Sequence, residues 1–278
     1  MKKLLVRNCT KVWRRAALIV GLTYCLGACS PPEARDYQLA QQEVSLGHFT
    51  AALESFDRVI KRAPTSETAI KAARDGARVA TLETKEYKRA AAYHQFVVLH
   101  SPDPAERMNS QKQLAGLYFD QLQNYEKAIV ELNKLVQGNE PEMEIAHYKL
   151  DIARSHYYLN NFFQAHSELD ELLKMNIPDS ERFSAWVLKS NIHIALKEYP
   201  KAIEILKKVT TLYPEKSLQE NVFQTLAVCL EENDNFNEAI KTLESVKNKY
   251  PQPEYIEIRI KRLRDRQKNR PGARGLRK

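Results

Sequence analysis

The sequence predicts an all-α protein built as a stack of helix pairs, and three observations carry that prediction. One phrase recurs six times, apolar residues within its copies fall at helical spacing, and a proline punctuates every copy. The phrase is an aromatic residue, two residues, an alanine, three residues and a large side chain. It reads Phe49, Ala52, Phe56; then Tyr87, Ala90, His94; then Tyr125, Ala128, Leu132. The later copies are Phe162, Ala165, Leu169; Tyr199, Ala202, Leu206; and Phe236, Ala239, Leu243. The alanines lie 38, 38, 37, 37 and 37 residues apart, a regularity that chance does not produce. Prolines follow at Pro64, Pro102, Pro141, Pro178, Pro214 and Pro251.

Each copy parses as a helix A, a tight turn, a helix B and a second turn. In the fifth, helix A is expected near 183–197, with Trp186, Ile192 and Ile194 among its apolar positions. Helix B is expected near 201–212, where Ala202, Ile205, Leu206 and Val209 share one face. The alanine is small because the two helices cross closely there, and the aromatic fills the gap at the turn. The proline ends helix B, since its ring clashes with the preceding turn and it has no N–H to donate. Beyond the last copy, Ile256, Ile260 and Leu263 fall on one helical face, although Ile256, Ile258 and Ile260 also alternate as in a strand. A lone strand would have no partner, so 254–268 is read as a capping helix. The end, 269–278, holds Pro271, Gly272 and Gly275 and is expected to be disordered.

These residues resemble the tetratricopeptide repeat, and the resemblance spans 33–253. Twelve residues before each alanine that family carries Gly or Ala; the chain has Ala40, Gly116, Ala153 and Ala227 there, whereas Arg78 and Ser190 depart. The second repeat is the weakest match. The resemblance implies a right-handed α-solenoid of about six helix pairs plus a C-terminal capping helix, stabilised neighbour to neighbour and lined on its concave face by the A helices. It also implies a partner-binding groove. Carried onto this sequence, the family's groove positions give Tyr37, Gln41, Gln113, Asp120, His147, Arg154, Tyr157, Tyr158, Asn191 and Gln224. The fourth repeat is the richest, because tyrosine and arginine are favoured anchors at interfaces; packing of two of its tyrosines between repeats is the plainer alternative.

The N-terminus speaks to compartment. Residues 1–15 contain six basic and no acidic side chains, and a short apolar run follows from Ala16 to Leu26. A basic segment, an apolar stretch too short to span a bilayer and small residues behind it read as an export signal over 1–28. Leu26-Gly27-Ala28-Cys29 resembles the lipobox of bacterial lipoproteins, which implies lipidation of Cys29, a linker over 29–32 and, with Ser30 next, the outer membrane. The long repeat period resembles that of outer-membrane tetratricopeptide lipoproteins, among them the repeat-containing lipoprotein of the β-barrel assembly machine and the pilotins of type IV pili.

The net charge of +8 is unevenly spread. Residues 259–278 hold ten basic and one acidic side chain, while 29–258 hold 27 basic and 34 acidic. An acidic body makes nucleic acid an unexpected partner. The basic end either solubilises the chain or contacts anionic lipid or an acidic partner. His156 and His193 sit at equivalent points of consecutive repeats and read as packing residues, and the seven histidines show no metal-ligand spacing. No glycine-rich phosphate loop or catalytic motif is present, so no catalytic, cofactor-binding or metal residue and no enzyme activity are expected. Cys229, in an apolar run, reads as a small buried hydrophobe. The expected function is a lipid-anchored scaffold that binds segments of other envelope proteins in outer-membrane protein assembly. A pilotin-like escort, or a partner in cell-envelope and cell-wall coordination, is the alternative.

Overall fold

The computed structural model describes residues 31–138 and 140–269. The signal segment, Cys29 and the tail from 270 onward lie outside the described residues. Every regular element among the described residues is helical. Two compact units emerge, one ending at Leu117 and the other beginning at Tyr118. The first holds α1 (Pro32–Ser45), α2 (Phe49–Arg62), α3 (Glu67–Leu82), α4 (Tyr87–His100) and α5 (Pro104–Gly116). Each packs on the next, and α1 also touches α3.

The second unit holds α6 (Tyr125–Val136), α7 (Glu142–Tyr158), α8 (Phe162–Leu172), α9 (Asp179–Ala195) and α10 (Tyr199–Leu212). It continues through α11 (Pro214–Gln219), α12 (Val222–Glu232), α13 (Phe236–Val246) and α14 (Pro253–Asn269). Sequential helices pack together, and α7 also meets α9. The six repeat alanines are all fully buried, as close helix crossing requires. Each B helix begins on its repeat's aromatic residue. The last helix buries Ile256, Ile260 and Leu263 against Leu230, Phe236 and Leu243, so the helical reading of that stretch prevails over the strand.

The A–B turns share one device that the sequence pattern does not disclose. In every repeat the residue five before the alanine has positive φ: Gly47, Lys85, Gln123, Asn160, Lys197 and Asp234. In the fourth repeat, Asn160 N–H donates to Tyr157 O at 2.9 Å and Asn161 N–H to His156 O at 2.8 Å. The same pair of bonds closes the turns after α1, α9 and α12. This is a Schellman closure, which satisfies the last carbonyls of helix A while reversing the chain. Glycine adopts that conformation freely, whereas lysine and glutamine are strained in it. Lys197→Gly is therefore expected to stabilise the protein by about 0.5–1 kcal/mol, read as a raised urea midpoint at unchanged slope. A lowered midpoint would show that the Lys197 side chain does more than turn.

The two 38-residue spacings have a local cause. After α3 the turn contains an extra residue, Glu83-Thr84 before Lys85 where other repeats have one. This shifts the register of α3 by one, so the small buried residue of the second repeat is Ala77 and Arg78 points to solvent. The apparent departure at Arg78 is a register effect. In the third repeat the extra residue is absorbed in a π-helical turn, Leu117–Gln121, and Ala115 rather than Gly116 is the fully buried one. Ser190 keeps its place because it is small and its hydroxyl donates to Val187 O at 2.7 Å. Gly76 is needed for space: a β-carbon there would meet the buried Tyr93 ring at 2.9 Å.

The prolines also do something other than expected. Pro64 and Pro102 follow α2 and α4 by two residues, but Pro141 and Pro178 are the N-caps of α7 and α9, and Pro214 opens α11. Proline's fixed φ suits a helix start, where its missing N–H costs nothing. Helix A of the sixth repeat is broken into α11 and α12 by Asn221 in the left-handed region. Cys229 is fully buried, and burial pushes its thiol up to about 11.

Candidate functional site

The A helices bring some of the sequence-chosen residues together around carboxylates that family positions do not point to. In the first unit, Tyr37 Oη and Gln41 Nε2 both donate to Asp75 Oδ2, at 2.7 and 2.8 Å. Burial and the Asp75 carboxylate hold the Tyr37 phenol at about 12. Its ring leans on Phe56, centroids 6.1 Å apart. These two residues thus tie α1 to α3. Gln113 is exposed on α5.

In the second unit the counterpart is Asp151, on the fourth repeat's helix A. Arg154 Nη1 donates to its Oδ1 at 2.9 Å, and His147 Nε2 lies 3.4 Å from its Oδ2. Burial pushes the Asp151 carboxyl up, and His147 and Arg154 pull it back. A guanidinium held this way is fixed in place, and no cation–ring contact joins it to Tyr158. Asn191 is half-buried on α9, and Gln224 donates to Asn221 Oδ1 at 2.9 Å beside the start of α12.

Tyr157 and Tyr158 divide their roles. Tyr157 is half-buried and packs against the cluster of Leu150, Ala153, Leu169 and Leu172. Tyr158 is 52% exposed and stacked on Tyr125, with centroids 4.8 Å apart and planes at 27°. Phe119, from the π-helical turn, backs both rings at 5.9 and 6.4 Å. Phe163, at the start of α8, is 83% exposed. Tyr158, Tyr125 and Phe119 form an aromatic platform, immobilised from behind and open in front. Tyrosine rings present large amphipathic area with little conformational freedom to lose.

Other candidate chemistry is thin among the described residues. No cluster of three or more His, Cys, Asp or Glu side chains is arranged to hold a metal ion. His166 and His193 form an edge-to-face pair at 5.6 Å, and His193 Nδ1 lies 2.7 Å from Glu198. His156 packs with its Nδ1 unpartnered. Among the described residues no helix is long and apolar enough to cross a membrane.

Residues 150–217 and 193–259 each match a family model described as tetratricopeptide repeat. Residues 150–259 are thus a tetratricopeptide-repeat region. A tetratricopeptide repeat protein from Parabacteroides merdae superposes with a TM-score of 0.51 at 14% identity, over 84% of this chain and 87% of its own. PilW, a widely conserved type IV pilus biogenesis factor, gives 0.51 at 13% identity over 84% and 100%. The Naa15/Naa10 complex bound to HypK gives 0.53 at 15% identity over 84% and 39%. Identities this low establish the tetratricopeptide fold alone. Among curated proteins nothing matches.

Proposed function

We propose that this chain is a scaffold that binds extended segments of other envelope proteins and is anchored to the outer membrane through lipid on Cys29, in the service of outer-membrane protein assembly. The observation that carries the binding half is the aromatic platform. Tyr158 is open to solvent yet fixed by Tyr125 and Phe119, so a peptide can stack on it without first ordering it. The anchoring half rests on Leu26-Gly27-Ala28-Cys29 and the basic segment before it.

Tyr158→Ala tests the binding half without disturbing the Asp151 pair. Partner capture by the purified full chain should weaken at least tenfold, about 1.4 kcal/mol, with little change in melting temperature. Unchanged capture would place the partner on another surface. Arg154→Ala is a poorer probe, because it strips Asp151 of a hydrogen bond and mixes stability with binding. Cys29→Ala tests the anchor: precursor should accumulate unprocessed, with no outer-membrane pool. Mature lipidated protein from that variant would end the lipobox reading.

A second reading, a pilotin-like escort for a secretin or pilus, draws on the shared fold of PilW, a type IV pilus biogenesis factor. Affinity purification from an envelope extract separates the two, since a component of the barrel-assembly machinery should recover a barrel protein and an escort its secretin.

A further inference from the structure

The last helix carries an exposed surface of its own, on other residues than the Tyr158 platform. Helix α14 turns Ile256, Ile260 and Leu263 into the core, and its opposite face bears Tyr255, Ile258 and Arg262 at helical spacing. Tyr255 is 54% and Ile258 52% exposed. Together with Arg259, Arg262 and Arg266 they line a cleft of about 150 Å³ that has Glu231 in its wall. Glu231 pairs with Arg266, and Arg259 approaches it to 3.6 Å. Lys261, Arg262 and Lys268 carry no ion pair among the described residues. From Pro253 to the end the sequence has ten basic and three acidic side chains, and none of the acidic ones lies beyond Asp265.

We propose that the outer face of α14 docks on an anionic phospholipid surface. Tyr255 and Ile258 enter the interface between headgroups and acyl chains, where an amphipathic ring and an aliphatic side chain are both accommodated. Arg262, one turn further on, meets phosphates at the same level, and Lys261 and Lys268 flank it. Free cations strung over the length of a helix suit a surface of many equivalent negative charges better than one carboxylate. The exposed Tyr–Ile pair in the same stripe has no use against a nucleic-acid backbone. This docking is independent of the N-terminal anchor, so either can fail alone.

The test places a reporter in the face itself, using the full chain. Tyr255→Trp is mixed with vesicles of brominated phosphatidylcholine containing roughly a third phosphatidylglycerol, and wild-type protein supplies the background from Trp13 and Trp186. The added tryptophan should shift to the blue and be quenched on these vesicles. It should not respond on phosphatidylcholine alone, and molar salt should release it. Adding Lys261→Glu and Arg262→Glu should abolish the response while leaving helicity unchanged, since both side chains are exposed. No quenching on anionic vesicles, equal quenching on neutral ones, or quenching that survives charge reversal or salt would each overturn the proposal. Retention of a polyglutamate peptide with no response to vesicles would assign the face to an acidic protein instead.

Discussion

Phe183→Ala is expected to cost about 3–5 kcal/mol, more than any other single truncation proposed for this chain. Phe183 is fully buried on α9 in the cluster that joins Ala202 and Leu206 to Leu226 and Leu230. Its ring meets Tyr213 edge-on at 5.7 Å, and Lys216 Nζ sits 4.5 Å from its centroid. Truncation removes ring–ring and cation–ring contacts together with the buried area. Stacked repeats are stabilised by neighbours, so the loss should also uncouple the sixth repeat from the fifth. Urea unfolding followed by circular dichroism should show a lower midpoint and a shallower slope. Phe163→Ala, at an exposed ring, is the control and should move the midpoint little; equal effects from the two would contradict this packing.

His94→Leu should flatten the acid sensitivity of the fold. His94 occupies the slot that Phe56, Leu132, Leu169, Leu206 and Leu243 fill elsewhere, and its Nδ1 is buried without a partner. Burial lowers its pKa from 6.5 to about 4. The unfolded chain therefore binds a proton between those values that the folded one refuses, so stability falls as the pH drops from about 6.5 to 4. A gap of that size corresponds to about 3 kcal/mol across the window. Leucine carries no such penalty and should add about 1 kcal/mol even at neutral pH by removing a desolvated nitrogen. Melting temperatures of both proteins at pH 7, 5.5 and 4.5 give the difference directly. Parallel curves would mean that His94 is hydrated in solution.

What is legible in the chain is the packing chemistry. Ala52 through Ala239 and the aromatic residues before them report helix crossings and helix starts because only certain sizes fit there. The turns are less legible. Gly47 announces a left-handed residue, but Lys85, Gln123 and Lys197 occupy the same conformation with no compositional sign of it. Counting at fixed offset then misreads the second and third repeats, whose extra residue lies in a turn and in a π-helical turn.

The site is legible in part for a related reason. A family position says which way a side chain leaves its helix, not what else reaches it. Tyr37, Gln41, His147 and Arg154 follow from such positions, but the carboxylates that hold them, Asp75 and Asp151, do not. Both stand two residues before the buried small residue of helix A, Ala77 and Ala153, an equivalence visible only once the register shift in α3 is known. Phe119 escapes the pattern because its turn is π-helical, and Tyr157 and Tyr158 differ by one residue yet face core and solvent.

The burial of Cys229 gives the sixth repeat a chemical clock. A thiol sealed at the centre of α12 and held protonated by its surroundings cannot be alkylated in place. It reacts only during excursions that expose it, and for fast reclosing the labelling rate is the opening equilibrium multiplied by the rate of a free thiol. Peptide-resolved alkylation at Cys229 therefore counts how often the C-terminal end of the chain comes apart while the rest stays folded.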